Sequence, residues 1–431
     1  MLSNIILIGM IILLSYNFQK SRTERFLEKI HLSYIYAPIE YTADLLTKEK
    51  RPFPDQSHQI HGEHFLNVRD YGAKGDGKTD DTTAFNAAFT AAINQRKSLY
   101  IPESAAYYRL SSPLAWHFNG APDNQGIVIF GASPRNTVLD FQTDYVAGPA
   151  LKITGTTSQF YNKFSGFSVQ CNTNAACVQV GSIDNHDVFN EAVFDYLYIS
   201  NFSTGANAIG LDLMAVANSN FDNFTLNCAA PGTGTAGIRL NTVQFSKFFG
   251  SIGNCRTAML LTDDITNGYS MGNVFLAMDF EVSTIGIAIK SSKATRNTWI
   301  GGHSADVVHV IDATAGNNNL FINGNFAPLN TIFAGDGQNS TGVRLLGGNY
   351  GTQRTPSIPA SAILVDGFYT PSVINKSGQD AMIYIFGGDV SSVAVNNAVV
   401  AMSSAATIKL RVGESIAISY RTAPSWTWRP D

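Results

Sequence analysis

The sequence predicts an all-β chain that winds into a parallel β-helix, with a capping helix before it and a small β cap after it. Three observations support this fold class. Charged residues make up only 14% of the 431 residues and glycine occurs 37 times, so uncharged polar residues and tight turns must cover the surface. An aromatic-centred strand recurs along the chain, and a second apolar strand lies between its copies. Such repeats stack because no single coil can bury its inner face alone.

The composition also excludes several classes of protein. The net charge of −4 provides no basic field to hold nucleic acid, so no nucleic-acid partner is predicted. Aromatic residues make up 11% of the chain, which is enough apolar surface to argue against intrinsic disorder. Four cysteines in this length are too few to build a disulfide scaffold.

Residues 1–20 form a hydrophobic segment around an apolar run at residues 5–14. The run is short for a membrane helix, which needs about 20 residues, and it lacks the basic start and cleavage site of a signal peptide. The Lys and Arg residues between positions 20 and 29 would by the positive-inside rule keep the following chain in the cytoplasm. Two interpretations stay open: an export signal or uncleaved anchor, and a docking helix or cytoplasm-facing anchor. We expect a secreted or cell-envelope protein. In the second case this segment can anchor the protein in the membrane.

Residues 21–64 are predicted to be a helical segment and a linker, and the main domain begins after them. Its entry, residues 67–85 (NVRDYGAKGDGKTDDTTAF), is the most specific segment in the chain. It predicts a short strand, a Gly-rich turn and a helix that Thr79 or Asp80 caps. Asp76, Asp80 and Asp81 are also compatible with a calcium loop, although a turn followed by a helix cap explains them more simply. Five apolar residues recur at helical spacing and are predicted to form the buried face of the helix: Ala84, Phe85, Ala88, Phe89 and Ala92.

This entry segment closely resembles the opening of pectate-lyase-superfamily proteins, which include polygalacturonase-like glycoside hydrolases and phage tailspike depolymerases. The resemblance is strong over residues 65–110 and only architectural afterwards. It implies a right-handed, single-stranded parallel β-helix whose end the helix plugs, and an activity on polysaccharides. Relatives with this architecture often form trimers, so the resemblance also implies that a homotrimer can form.

The β-helix is predicted over residues 65–395. The marked aromatics recur at intervals of 22 to 30 residues, at Phe164, Phe194, Phe224, Phe248, Phe275, Trp299 and Phe321. The second apolar strand recurs at 209–211, 237–240, 258–261, 286–289, 308–311 and 331–333. Intervals of this kind suit coils that stack at about 4.8 Å.

Polar residues recur two positions before most of the aromatics. They predict a structural ladder, because Asn tolerates left-handed backbone angles and stacked amides hydrogen-bond along the axis. The residues are Asn162, Asp222, Asn273, Asn297 and Asn319.

Residues 396–431 are predicted to form the C-terminal β cap. Two alternating strands flank a Gly-Glu turn within residues 407–420. Trp426 and Trp428 are compatible with stacking on sugar rings, but packing of the cap or a subunit contact explains them better.

The candidate catalytic residues lie within residues 273–282. Strict alternation places Val274, Leu276, Met278, Phe280 and Val282 inward, and Phe275, Ala277, Asp279 and Glu281 outward. The Cα atoms of the two acidic residues are then about 6.6 Å apart. The two carboxyl groups of glycosidases are separated by roughly 5 to 9.5 Å, and the spacing of Asp279 and Glu281 falls within this range.

Stacking by 24 residues adds further residues to this site. It places His303 beside Asp279 and Trp299 beside Phe275, and Asp306 follows at the strand end. Asp279, Glu281, His303 and Asp306 are therefore the predicted catalytic residues. Trp299 and Phe275 are predicted to form an aromatic platform for a sugar. Exposed carboxylates that only aid solubility, with His303 paired to Asp279, remain the alternative.

Asp263 and Asp264 are predicted to bind substrate. Polygalacturonases carry an adjacent Asp-Asp and a later Gly-His-Gly, which Asp263-Asp264 and Gly302-His303-Ser304 partly match. The Asn-Thr-Asp and Arg-Ile-Lys elements are missing, so a polygalacturonase assignment is not supported. Asp195 and Asp212 are lone candidates that a structural role explains better.

A polysaccharide lyase on the same fold is the first alternative. It needs a base beside a group that neutralises a carboxylate, and Arg239, Lys247 and Arg256 form no recognisable set for this. A non-catalytic surface or tail-fibre protein that binds glycans is the second alternative. The sequence has no zinc spacing, phosphate loop, nucleophile elbow or dinucleotide fingerprint, so no cofactor and no metal are predicted.

The four cysteines divide into two pairs. Cys171 and Cys177 enclose a short loop that a disulfide can close in an oxidising compartment. Cys228 and Cys255 fall at different places in their predicted coils, so we expect both to be free and buried. The sequence as a whole predicts a glycoside hydrolase that cleaves a polysaccharide through Asp279 and Glu281.

Overall fold

The computed structural model describes residues 65–119, 126–142, 147–182, 188–230, 234, 236–262, 268–326, 328–334, 343–349, 372–375, 378, 380–403 and 405–430. The predicted segments 1–20 and 21–64 lie outside these residues. Within them, no helix has the length and apolar character needed to cross a membrane.

Two large parallel sheets make up most of the fold between residues 65 and 346. The strands of the first sheet are Phe65–Asn67, Ser98–Ile101, Tyr108–Arg109, Val128–Gly131, Val138–Phe141, Lys163–Ser165, Ser168–Cys171, Val193–Asp195, Tyr198–Asn201, Asn220–Cys228, Lys247–Gly253, Val274–Leu276, Asp279–Glu281, Thr298–Ile300, His303–Ala305, Asn319–Ile322, Asn325–Phe326 and Val343–Leu346. The strands of the second sheet are Leu114–Phe118, Leu151–Gly155, Gln159–Phe160, Ala176–Val180, Phe189–Asn190, Ile209–Ala217, Ala236–Gln244, Thr257–Thr262, Ser270–Met271, Ile285–Ile289, Ala294–Thr295, His309–Ala313 and Thr331–Phe333.

Each strand pairs with the equivalent strand one coil later. Val193 lies opposite Asn220, Asn220 opposite Lys247, and Lys247 opposite Val274. All pairings of the two sheets are parallel, and both sheets are built from successive coils of one chain. The predicted parallel β-helix is therefore confirmed.

The helix Thr82–Gln95 covers the first coils with the predicted buried face. The ring of Phe89 lies 5.7 Å from Trp116 and 5.5 Å from Phe118, so the helix closes the apolar interior at this end. The N-cap position is Asp81, while the carboxylate of the predicted Asp80 accepts from the backbone N–H of Thr82, the first residue of the helix, at 3.1 Å. This bond and apolar packing against the first coils both hold the helix in place.

The carboxylates of the entry segment accept hydrogen bonds from the turn itself. Asp81 is buried and accepts from the backbone N–H groups of Lys74 at 2.7 Å and Gly75 at 3.0 Å. Asp76 accepts from the backbone of Lys78 at 2.9 Å and Thr79 at 2.7 Å. Both residues therefore have the structural role of turn acceptors.

A column of stacked aromatic rings runs through the interior of the coils. Its members are Phe164, Phe194, Phe221, Phe248, Phe275, Trp299 and Phe321, with neighbouring ring centroids 4.5–5.0 Å apart. The prediction that Phe224 belongs to this column is wrong, because Phe221 occupies that position. Phe224 is buried as well, but it lies beyond a register shift between Asp222 and Phe224.

A buried polar ladder runs beside the aromatic column. Asn297 accepts from the backbone N–H and the side-chain amide of Asn273 at 3.1 and 3.0 Å, and its own amide donates to Asn319 at 3.1 Å. Asp222 does not belong to this ladder. Ser219 occupies that position and donates its backbone N–H to Ser246 at 3.1 Å. The predicted ladder is confirmed for Asn273, Asn297 and Asn319 and is wrong for Asp222. Asn162 is buried at the equivalent position, but it accepts from the backbone N–H of Ile127 at 3.0 Å instead of from another Asn.

The C-terminal part consists of two antiparallel sheets. One contains Val373–Ile374, Ser415–Thr422, Asp389–Val395 and Ala398–Ala401, and the other contains Ala406–Leu410, Ala381–Phe386 and Ser425–Pro430. The two strands predicted around the Gly-Glu turn are present, but they belong to different sheets. Among the described residues, antiparallel strands occur from Val373–Ile374 onward, on the N-terminal side of the predicted boundary at residue 395.

Two disulfides link the four cysteines. Cys171 pairs with Cys177, as predicted, and Cys228 pairs with Cys255 with Cα atoms 5.0 Å apart. The expectation that Cys228 and Cys255 are free is wrong. Asn227 lies opposite Gly253 on the next coil, so Cys255, which is 27 residues after Cys228, comes one residue beyond the position opposite Cys228 and lies beside it on that coil.

The buried ladder generates a prediction about stability. Asn297→Ala removes the oxygen that accepts from the backbone N–H and the amide of Asn273, and the amide that donates to Ser270 and Asn319. We expect the free energy of unfolding to fall by about 3 kcal/mol, because buried polar groups lose their partners. Urea unfolding measures this change. The control is Asn325→Ala, an exposed Asn bonded to Asn349 at 3.2 Å, which should cost less than about 1 kcal/mol. Equal losses for the two variants would contradict the importance of the ladder.

The disulfides generate a second prediction. Replacing Cys228 and Cys255 together by Ser should lower the free energy of unfolding by about 3.5 kcal/mol, since the bond closes a long loop in the unfolded chain. The same replacement of Cys171 and Cys177, which close a loop of separation 6, should cost only about 2.3 kcal/mol. Guanidinium unfolding without reductant compares the two. Thiol titration of the denatured, unreduced wild-type protein should find no free thiol, and four free thiols would refute both bonds.

Candidate active site

Asp279 and His303 lie side by side on the outer face of the first sheet. Their strands, Asp279–Glu281 and His303–Ala305, pair in parallel with Asp279 opposite His303. The Nδ1 atom of His303 lies 3.1 Å from Oδ1 of Asp279, and the two side chains are 53% and 35% exposed. The predicted 24-residue register at this point is confirmed.

Glu281 projects from the same strand face as Asp279. Phe280 between them is fully buried, so the two carboxylates flank it on the solvent side. The negative charge of Asp279 is the main cause that raises the pKa of Glu281, with partial burial and a hydrogen bond to Asp279 adding to it, while His303 opposes the shift. Glu281 therefore keeps its proton to a higher pH than an isolated glutamate.

A left-handed residue sets which side chains face outward. Ala277 has φ of 43° and separates the strands Val274–Leu276 and Asp279–Glu281, so the alternation of side chains is interrupted there. Phe275 is buried whereas Val274 and Leu276 are only half-buried. The predicted inward positions of Val274, Leu276 and Val282 are wrong. Those of Met278 and Phe280 are correct, as are the outward positions of Ala277, Asp279 and Glu281.

The predicted aromatic platform is wrong for the same reason. Phe275 and Trp299 are 0% and 1% exposed, and their rings stack at 4.5 Å inside the coil. Neither ring is available to a sugar. Both belong to the interior column that holds the coils in register.

The other predicted residues lie elsewhere. Asp306 is exposed and directly follows the strand His303–Ala305, with φ of 55°. Asp263 and Asp264 lie outside the described residues. Asp195 accepts a hydrogen bond from Asn223 at 3.2 Å, and Asp212 is buried in an ion pair with Arg239 at 2.7 Å.

The cations considered for a lyase are distributed over several coils. Arg239 is engaged with Asp212 through two hydrogen bonds, of 2.8 and 2.7 Å. Lys247 forms an ion pair with Asp222 at 2.9 Å. Arg256 is exposed and follows Cys255 in a turn. These residues do not form one cationic site.

Two polar residues that sequence reasoning missed extend the row. Ser251 lies opposite Asp279 on the preceding coil, and Asn325 lies opposite His303 on the following coil. Ser251 is half-buried and Asn325 is exposed. Asn325 lies 22 residues after His303, the same spacing as between Trp299 and Phe321, so that spacing could have found it. Ser251 lies 28 residues before Asp279, and no interval between the marked aromatics has this length. The row Ser251, Asp279, His303 and Asn325, with Glu281 beside it, is the candidate active site.

This arrangement has the groups needed for acid–base chemistry. It combines a carboxyl group whose pKa is raised, a second carboxylate and an imidazole, all reached from solvent. A raised carboxyl beside an ionised one is the pattern by which two acids take different roles. The described residues show no group of three or more possible metal ligands of the His, Cys, Asp and Glu types.

Comparison with protein families gives one match over more than half of the chain. The model of the family described as "Rhamnogalacturonase A/epimerase, pectate lyase-like" matches residues 65–298. This range contains the capping helix, most of the coils, and both Asp279 and Glu281.

Comparisons with individual proteins give weaker similarity. The curated "Non-secreted LysM effector LysM19" of Penicillium expansum is 38% identical over 63 residues, which are 15% of this chain and only 5% of that protein. The A-module of mannuronan C-5 epimerase AlgE4 from Azotobacter vinelandii is 13% identical, with a TM-score of 0.34, over 66% of this chain and 95% of that one. The tailspike of Acinetobacter phage vB_ApiP_P1 is 12% identical, with a TM-score of 0.37, over 86% and 79%.

The electrostatics of the carboxylate pair generate a prediction. Asp279→Asn removes the main charge that raises the pKa of Glu281, so this pKa should fall towards its ordinary value near 4.5. Carbon-detected NMR titration of the labelled glutamate carboxyl measures it. Asp306→Asn is the control and should leave the pKa of Glu281 in place. An unchanged pKa in Asp279→Asn would show that the two carboxylates are not coupled.

Proposed function

The chain belongs to the rhamnogalacturonase A/epimerase, pectate lyase-like family, as its entry segment implied, and from this premise we propose that it is a polysaccharide-degrading glycoside hydrolase. One observation carries the proposal. Asp279 and Glu281 share one exposed strand face with His303 beside them, and glycosidases use two carboxyl groups flanking the bond that breaks.

Glu281 is the general acid in this proposal. Its pKa is raised by the charge of Asp279, so a protonated carboxyl persists at a pH where most carboxyls are ionised. A proton donor of this kind protonates the glycosidic oxygen as the leaving sugar departs. Ser251 and Gly253 on the preceding coil have small side chains, which leave the space above the carboxyls open to a polymer.

Asp279 is the second carboxyl group. His303 lies 3.1 Å from its Oδ1 atom, and an imidazole N–H at this distance holds the carboxyl group in one orientation. As a base Asp279 activates water, and as a nucleophile it attacks the sugar directly. The pair thus divides the proton-donating and electron-donating roles between two neighbouring carboxyls.

The surroundings favour hydrolysis over the elimination or epimerisation of a uronic acid. Those reactions remove a proton next to a carboxylate, whose charge a cation must neutralise. The residues in register with the pair are Ser251, Gly253, His303 and Ala305, and none of these is Lys or Arg. The negative charge of Asp279, which raises the pKa of Glu281, also repels a uronate, so we propose cleavage next to a neutral sugar.

We further propose that the protein works in an oxidising compartment, secreted or on the cell envelope. The two disulfides of the coil region support this location, since such bonds persist outside the reducing cytoplasm. A polysaccharide substrate is also an extracellular polymer in most settings, so location and substrate agree.

Removal of the acid tests the proposal. Glu281→Gln should lower the depolymerisation rate by about 10²- to 10⁴-fold, the usual contribution of a general acid. Falling viscosity and new reducing ends report the rate across a panel of polysaccharides. Mass spectrometry should find products that have gained water. The matched control is Glu191→Gln, an exposed carboxyl elsewhere, which should keep full activity.

Two outcomes would refute the hydrolase. Unsaturated products that absorb in the ultraviolet would identify a lyase on the same fold. Polysaccharide binding without loss of viscosity, equal in wild type and Glu281→Gln, would identify a non-catalytic glycan-binding protein.

A further inference from the structure

The outward row that contains Asp279 continues over three coils towards the start of the chain and reaches a tyrosine. Ser251 lies opposite Asp279, Thr225 lies opposite Ser251, and Tyr198 lies opposite Thr225. Neighbouring strands of a sheet are about 4.8 Å apart, so these three steps along the row span about 14 Å. This is the length of a short oligosaccharide.

Tyr198 is on the same outer face as Asp279. Ile199, the next residue of its strand, is 2% exposed and belongs to the apolar core, as Phe280 does next to Asp279. Since side chains alternate within one strand, Tyr198 stands on the opposite, outer side. It is half-buried, so its side chain remains partly open to solvent.

A second tyrosine stands at the bend that precedes this strand. Tyr196 is 55% exposed and has φ of 53°. Ala277 takes the same place two residues before Asp279 and is left-handed as well, with φ of 43°. The bend therefore recurs on both coils, and only the earlier coil carries an aromatic ring there. We call Tyr196 and Tyr198 the tyrosine pair.

Small polar residues line the surface between the tyrosine pair and the carboxyl groups. Thr225 is exposed and Ser251 is half-buried. In the row beside them, Asn227 lies opposite Gly253, and Gly253 lies opposite Glu281. None of these side chains is large enough to interrupt a polymer that follows the row. The hydroxyl and amide groups among them are donors and acceptors for sugar hydroxyls.

We propose that the tyrosine pair is a sugar-binding subsite for the polymer that Asp279 and Glu281 cleave. A tyrosine ring offers a flat apolar surface to the C–H face of a sugar, and its hydroxyl adds a hydrogen bond. The occupant is a neutral polysaccharide that runs along the axis of the coils, with one sugar on the tyrosine pair and the cleaved bond at the carboxyl groups. The identity of this polymer rests on the proposed function, whereas the position of the subsite rests on the register of the row.

The chemistry of the row favours a polysaccharide over a second copy of the chain. The centre of a protein–protein interface is apolar and poor in charge, whereas here the hydroxyls of Thr225 and Ser251 and then two carboxyl groups follow the rings. A polysaccharide presents apolar ring faces and hydroxyl groups in succession, as this row does. Contact at the tyrosine pair also raises the effective concentration of the next sugars at the carboxyl groups.

Binding without turnover tests the inference. The full chain carrying Glu281→Gln is titrated by calorimetry with neutral oligosaccharides of six sugars, prepared from galactan, xylan, mannan and dextran. We expect one of these probes to bind, and Tyr198→Ala to weaken its binding by about tenfold, the effect of losing one aromatic contact. Adding Tyr196→Ala should weaken it further. Tyr198→Phe keeps the ring and should bind nearly as well as the parent.

Tyr161→Ala is the matched control. Tyr161 is 58% exposed and left-handed with φ of 61°, like Tyr196, but it precedes the strand Lys163–Ser165 at a different bend of its coil. Its removal should leave binding unchanged. The inference is overturned if no probe binds, if Tyr198→Ala keeps its affinity, or if Tyr198→Phe or Tyr161→Ala loses as much as Tyr198→Ala. It is also overturned if light scattering shows that Tyr198→Ala changes the mass of the assembly, which would identify a contact between copies.

Depolymerisation by the chain without Glu281→Gln separates this inference from the proposed function. Binding that requires Tyr198, with no cleavage of any polymer in the panel, refutes the hydrolase and retains the subsite. Cleavage, with binding unchanged in Tyr198→Ala, retains the hydrolase and refutes the subsite.

Discussion

Register between neighbouring coils is the constraint on which the rest of the structure depends. Parallel backbone pairing fixes each residue beside the residue one coil away, and no coil can bury its inner face without its neighbours. Two buried columns keep this register, one of stacked aromatic rings and one of hydrogen-bonded polar side chains. The aromatic column resists slippage by close packing, and the polar ladder resists it because a shift would leave buried amides without partners.

The candidate site follows from the same constraint. The coil offset that stacks Phe275 on Trp299 also sets Asp279 beside His303. The same register between coils therefore aligns both the buried aromatic column and the exposed row that contains Asp279 and His303. Between them, a left-handed residue at Ala277 ends one strand and starts the next, so that ring and carboxylate come to face opposite ways.

The sequence was sufficient for the fold and for placing His303 beside Asp279, because both depend on spacing along the chain. It was insufficient for side-chain direction, since alternation holds only within one uninterrupted strand. Ala277 carries no signal of a left-handed backbone, unlike the Asn and Gly that usually mark it. Taking Phe224 instead of Phe221 had a similar cause, and it hid the equal 27-residue intervals from Phe194 to Phe221 and from Phe221 to Phe248, which match the 27 residues between Cys228 and Cys255. Asp222 was misplaced with it, and it lies in an ion pair with Lys247 instead.

The low charge of the chain gives its few charged clusters distinct local effects. A net charge of −4 over 431 residues produces little long-range field, and at physiological salt the interaction of exposed charges fades within about 8 Å. The coupling between Asp279 and Glu281, which are neighbours on one strand face, is therefore a local effect and is expressed in the raised pKa of Glu281. If the proposed function holds, attraction from a distance contributes little to the capture of a polymer by this surface. Affinity then comes from contacts repeated along the polymer, because each bound segment raises the effective concentration of the next.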